Sequence, residues 1–195
     1  MKSENGNDRV VVEPGQWLDG ELPANVQLGR DTVIKGDQAF QRFRSNRAPA
    51  LIIGEHSTMD GVHFALGTGA RVEIGNFCFF SNSILLCEQE LRIGSYVVIG
   101  WNATIADTDF HPLSPAARVQ DAIACSVLGK GRQRPPISTQ PVIIEDDVWI
   151  GPNATILKGV RIGAGAFIEP GALVTRAVPP RARVLGNPAQ VVGEV

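Results

Sequence analysis

The stretch that decides the fold runs from Ile144 to Pro179 and divides into six blocks: IEDDVW, IGPNAT, ILKGVR, IGAGAF, IEPGAL and VTRAVP. Each block opens on Ile or Val, at Ile144, Ile150, Ile156, Ile162, Ile168 and Val174. A period of six does not return to one face of a helix with 3.6 residues per turn. It suits short extended segments, whose side chains alternate between two sides. Three such segments joined by tight corners close a flat-sided coil of eighteen residues. The leading aliphatic then points inward and stacks on its equivalent one coil away. Gly94, Gly100, Gly151 and Gly163 follow it at the corners, where backbones crowd. Ala103, Ala154, Ala166 and Ala172 stand four places after the aliphatic, where the interior is narrow. An irregular β-sandwich would need six consecutive accidents of register to give the same pattern.

The frame extends upstream as IGSYVV, IGWNAT and IADTDF, from Ile93, Ile99 and Ile105. Before that it is looser, through Ile74, Phe80 and Leu86, then Ile53, Met59 and Ala65, with Leu28, Ile34 and Phe40 opening the series. Coils of this kind bury apolar area only when stacked, so both ends need caps. The reading is an all-β solenoid over residues 26–178. A cap segment precedes it at 1–25, and a proline-rich tail follows at 179–195.

Charge and length limit the function. Eighteen basic and twenty acidic residues leave a net charge of −2, so no basic stripe suits nucleic acid. No apolar run approaches the length of a membrane span. The opening MKSENGNDR lacks the apolar core of a secretory leader, which points to a cytoplasmic location. Cys78, Cys87 and Cys125 form no paired motif, so neither a disulfide framework nor a zinc site is expected.

The count in sixes stops at "IADTDFHPLSP", Ile105 to Pro115. His111 takes the slot of the next buried aliphatic, and the chain rejoins the frame only near Val142. An excursion over about residues 112–141 is long for a compact repeat and is usually functional or disordered. It carries Lys130, Gly131, Arg132, Arg134, Pro135 and Pro136, a basic and kinked run poorly suited to strands. Asp107 and Asp109 alternate with His111, so all three lean the same way if the segment stays extended. Either carboxylate could then orient the imidazole or meet an acceptor hydroxyl, although Asp also favours corners.

"IGPNATILKGVRIGAGAFIEPGALVTR", with "LGNPAQVV" behind it, resembles the hexapeptide-repeat acyltransferases. The resemblance implies a left-handed parallel β-helix, an acetyl-CoA donor and a homotrimer with sites between neighbours. The handedness comes from the family alone, since general topology favours right-handed crossovers. "HPLSP" followed by Arg118 is similar to a segment of the galactoside and maltose acetyltransferases, and "DTDFHPL" to polysaccharide O-acetyltransferases. By that resemblance His111 is the general base that takes the proton of a sugar hydroxyl. Imidazole, with an ordinary pKa of about 6.5, suits that task at neutral pH. The implied acceptor contacts are Ser81, Asn82, Asp107, Asp109 and Arg118. The implied donor contacts are Trp149, Gly151, Thr175 and Arg176, with Arg181 and Arg183 in place of the family's basic tail positions.

The chain departs from the family pattern in three places. Pro152 and Pro170 have no N–H to offer a pantetheine arm. Gln190 and Gly193 stand at the usual basic positions of the tail. The "NFYAN" of the sugar enzymes reads "NFCFFSN", which shifts the acceptor-contacting Asn to Ser81 and Asn82. Sugar O-acetylation in surface polysaccharide or glycoconjugate assembly is the expected activity. The alternatives are acetylation of serine or an antibiotic, and a non-catalytic scaffold. A zinc carbonic anhydrase on the same prism needs three converging His ligands. His56, His63 and His111 lack that spacing, so no metal is expected.

Overall fold

The computed structural model describes residues 13–195. The MKSENGNDR stretch and the first part of the 1–25 segment lie outside the described residues. The rest is a parallel β-solenoid with three flat faces, the architecture of the left-handed β-helix. The first face stacks six strands, including Leu51–Ile53, Arg71–Ile74, Glu90–Ile93, Val142–Ile144 and Arg161–Ile162. The second stacks nine, including Thr58–Asp60, Phe79–Ser81, Val98–Ile99, Trp149–Ile150 and Phe167–Ile168. The third stacks five: His63–Leu66, Ile84–Cys87, Thr104–Ala106, Thr155–Ile156 and Leu173–Val174.

The inward aliphatics make one continuous core. Ile93, Ile99, Ile105, Ile144, Ile150, Ile156, Ile162, Ile168 and Val174 are all buried. Each such side chain contributes roughly 1.5–3 kcal/mol by leaving water. Past the excursion the coils keep their eighteen-residue length, as in the pairing of Ile144 with Ile162. Upstream they are longer. Ile53 pairs with Ile74, and Leu28 with Ile53. The extra residues slip the phase on the third face by one. There Phe64 and Leu66, then Leu85 and Cys87, point inward, while Ala65 and Leu86 turn half-outward. Leu85, not Leu86, stacks under Ile105. Phe40 opens no strand; with Trp17 and Phe43 it packs against the core, stacking on Phe64.

Corners need left-handed backbone, and the chain places short polar residues or Gly there. Between the second and third faces run Gly61, Asn82, Asn102, Asn153 and Gly171, all at positive φ. Asn tolerates this region better than most side chains. Gly151 is required for a different reason, since a Cβ there would lie 2.6 Å from the nitrogen of Pro170.

At the C-terminus, Ala182–Gly186 continues the second face in parallel, and Ala189–Glu194 folds back on it antiparallel. The excursion leaves the third face after Ala106 and returns to the first at Val142. Its neck is closed. Asp109 N–H donates to the Ser138 carbonyl at 3.1 Å, and Gln140 N–H to that of Asp107 at 2.8 Å. Within it lie one α-helix, α1 (Pro115–Cys125), and a 3-10 turn at Val127–Gly129, where the composition suggests only irregular chain. Ser114 in extended backbone and Pro115 at the first turn are the helix start that the reading passed over. No helix among the described residues is long and apolar enough to cross a membrane.

Candidate active site

The third face leads the chain to His111. Phe110 holds φ at +65°, in the left-handed region. That conformation costs a bulky residue on the order of 1–2 kcal/mol. Here Arg134 secures it, its Nη2 donating to the Phe110 carbonyl at 3.1 Å. The reversal turns His111 out of the prism, and its side chain is 62% exposed.

The imidazole is nonetheless fixed. Its Nδ1 lies 2.5 Å from Asp121 Oδ2, on α1. Asp121 is only 1% exposed, and Arg134 grips both its oxygens, with Nε at 2.6 Å and Nη2 at 3.1 Å. Hydrogen bonds from Arg134, then from His111, hold the Asp121 carboxyl down to about 2, against the opposing effect of burial. An ionised carboxylate can only accept, so Nδ1 carries the proton. Nε2 is then the basic nitrogen, and it has no hydrogen-bond partner among the described residues. His111 lines a groove that runs along the third face.

Two adjoining cavities of about 460 and 280 Å³ share Arg42, Ala65, Leu86 and Phe110 and define that groove. His63, Ile84 and Thr104 form its floor, and His111 stands in the smaller cavity. A histidine with a buried carboxylate behind it and an open nitrogen in front can take a proton from a bound hydroxyl.

Several expected contacts are placed elsewhere. Asp107 is fully buried and its oxygens accept the N–H groups of Glu88, Gln89 and Glu90 at 2.8, 2.7 and 2.8 Å. It staples a corner and can neither orient the imidazole nor meet an acceptor. Asp109 is also not the orienting carboxylate, because it pairs with Lys158 at 3.3 Å. The alternation of Asp107, Asp109 and His111 breaks at Phe110, where the backbone reverses. Ser81 is 7% exposed, and Asn82 is a corner residue at φ +42°. Ser81 ends a strand of the second face and Asn82 turns from the second face to the third, whereas His111 follows the opposite end of the third face. Arg118 donates to the Leu113 carbonyl ahead of its own helix.

The donor residues also divide. Trp149 stacks on Phe167 on the second face, with centroids 4.2 Å apart. Gly151 has its N–H committed to the Ile168 carbonyl at 2.8 Å. Arg183 pairs with Glu169 at 2.5 Å. Thr175, Arg176 and Arg181 are exposed. Thr175 and Arg176 follow the last strand of the third face, at the same corner from which the excursion departs. No group of His, Cys, Asp or Glu that could hold a metal occurs among the described residues.

The family described as "Bacterial transferase hexapeptide (six repeats)" matches residues 141–176. Over those residues the chain carries the hexapeptide repeat. A hexapeptide-repeat acetyltransferase from Vibrio cholerae superposes with a TM-score of 0.59 at 28% identity, over 80% of this chain and 76% of that one. A galactoside acetyltransferase in complex with coenzyme A gives 0.58 at 27% identity, over 73% and 64%. In sequence, a 2,3,4,5-tetrahydropyridine-2,6-dicarboxylate N-acetyltransferase of Staphylococcus aureus is 60% identical over 57 residues, 29% of this chain. The match spans only 24% of that relative's length.

Asp121 has a consequence for acid stability. Its folded pKa is depressed, so its contribution is complete above the ordinary value of 3.8 and is lost as pH falls through about 2. The gap in thermal midpoint between the wild type and Asp121→Asn should narrow as pH falls from about 4 through about 2. A gap that stayed unchanged as pH fell through about 2 would contradict this assignment.

Proposed function

We propose that the protein is an acetyl-CoA-dependent O-acetyltransferase acting on a sugar hydroxyl. The observation that carries the reading is the His111 imidazole, held at Nδ1 by buried Asp121, 62% exposed and lining the groove. A hydroxyl bound there loses its proton to Nε2 as its oxygen attacks the acetyl carbonyl. The C–S bond breaks, the coenzyme leaves as thiolate, and the imidazolium returns the proton to that sulfur. No covalent enzyme intermediate is needed, and positioning supplies much of the rate.

Two further lines support this reading. One is the likeness to the galactoside acetyltransferase, whose structure holds coenzyme A. The other is the groove itself, where a cavity of about 460 Å³ adjoins the one that His111 lines. Residues Thr175 and Arg176 are the donor contacts we favour, because they share the excursion's corner and are exposed. Surface polysaccharide or glycoconjugate assembly is the setting we infer.

The test is thiol release from acetyl-CoA across a panel of sugars and nucleotide sugars, with amines as controls. Asp121→Asn should retain the fold and lose at least about tenfold in kcat/KM, because an amide no longer selects the Nδ1–H tautomer. An unchanged rate would remove Asp121 from the mechanism.

We also propose a homotrimer. Phe79 and Val98 form an exposed row on the second face that continues into Trp149 and Phe167. Phe77 and Tyr96 flank it at the corner, 50% and 58% exposed. Light scattering should give a mass of three chains, and a monomer would count against sites shared between neighbours.

A further inference from the structure

The wall of the groove facing His111 is built from residues outside the repeat. Phe40 packs edge-on against Trp17 and Phe43 and stacks on Phe64, with centroids 4.9, 5.3 and 5.6 Å away. Arg44 N–H donates to the Leu66 carbonyl at 2.9 Å, and Asn46 N–H to that of Thr68 at 3.0 Å. Ser45 Oγ donates to the Ala70 carbonyl at 2.7 Å. The segment is therefore held rigidly against the third face.

What it presents is a pair of arginines. Phe43 turns toward the aromatic cluster, while Arg42 and Arg44 on either side are exposed and line the cavity that holds His111. Neither makes an ion pair among the described residues. By contrast, Arg30, Arg71, Arg92, Arg161 and Arg183 each find a carboxylate. Lys130 and Arg132 extend the same basic surface across an adjoining cavity that Arg42 and Arg44 also line. Against them stand two carboxylates. Asp121 is already consumed by Arg134 and His111. Glu88 is the only carboxylate among the described residues that lines these cavities, and it faces Arg42, Arg44, Lys130 and Arg132. A local excess of positive charge on a chain of net charge −2 is thus concentrated beside the candidate base.

We propose that Arg42 and Arg44 bind an anionic group on the acceptor, a carboxylate or phosphate, and so place its hydroxyl at His111 Nε2. The acceptor class is then an acidic sugar such as a uronate or sugar phosphate, and a neutral sugar is the poorer substrate. Guanidinium groups suit this task because they pair with carboxylate and phosphate through two parallel hydrogen bonds. The catalytic part rests on the acetyltransferase reading above. The anion site itself does not.

The same cations could instead receive the phosphates of the donor, so the experiment has three arms. The first compares thiol release with glucuronate, glucose 6-phosphate and glucose. The wild type should prefer one of the two anions over glucose, and Arg42→Gln with Arg44→Gln should collapse that preference by about 10–100-fold, mainly through acceptor KM. The second measures the KM for acetyl-CoA in the same variant. A rise there in place of the acceptor effect would assign the cluster to the donor and overturn the proposal. The third measures glucuronate and glucose 6-phosphate binding to the full chain by calorimetry without acetyl-CoA. Binding that weakens in the arginine variant and at higher salt sustains the anion site even if no acetyl transfer occurs. Equal binding of glucose and the anions, or binding indifferent to both arginines, refutes it.

Discussion

Replacing His111 with Ala should lower kcat/KM for acetyl transfer by on the order of 10²–10⁴-fold, the usual contribution of a positioned general base. The fold should survive. The side chain is 62% exposed and takes no part in the core. The turn at this point depends on backbone, with His111 N–H donating to the Asp109 carbonyl at 2.7 Å. Asp121 keeps both its bonds to Arg134, so no carboxylate is stranded. The loss should therefore appear in thiol release while the thermal midpoint moves little. A variant that kept activity within about threefold of the wild type would leave the imidazole without a catalytic role.

The opposite pattern is expected at Asp107. Removing its carboxylate in Asp107→Ala leaves the N–H groups of Glu88, Gln89 and Glu90 without their acceptor in a fully buried corner. The loss of stability should be about 3–5 kcal/mol, read from urea unfolding. Asp107→Asn keeps one acceptor oxygen and should recover part of it. The acceptor KM of the fraction that remains folded should not change. A stable Asp107→Ala protein with a raised acceptor KM would restore Asp107 to the binding site.

These two residues mark how far the sequence could be read. The prism was legible from Ile144 onward because those coils keep a strict length, and each block repeats the same inward aliphatic. It blurred upstream because longer coils slip the phase, so that Leu85 replaced Leu86 in the core. His111 was visible as the residue that breaks the count. Its partner was not, since Asp107 and Asp109 stood nearer in sequence, and the reversal at Phe110 has no signature in composition. Asp121 could have been found only by reading Ser114–Pro115 as a helix start and following the helix back to the imidazole. Arg42 and Arg44 lie outside the repeat altogether, and only the aromatic cluster around Phe40 brings them to the groove.

The most direct test is thiol release from acetyl-CoA by the wild-type protein, measured with a panel of hydroxyl acceptors beside matched amines. The account predicts coenzyme release that depends on a sugar hydroxyl and yields an acetyl ester. Release with amines alone, or none with any sugar, would contradict it.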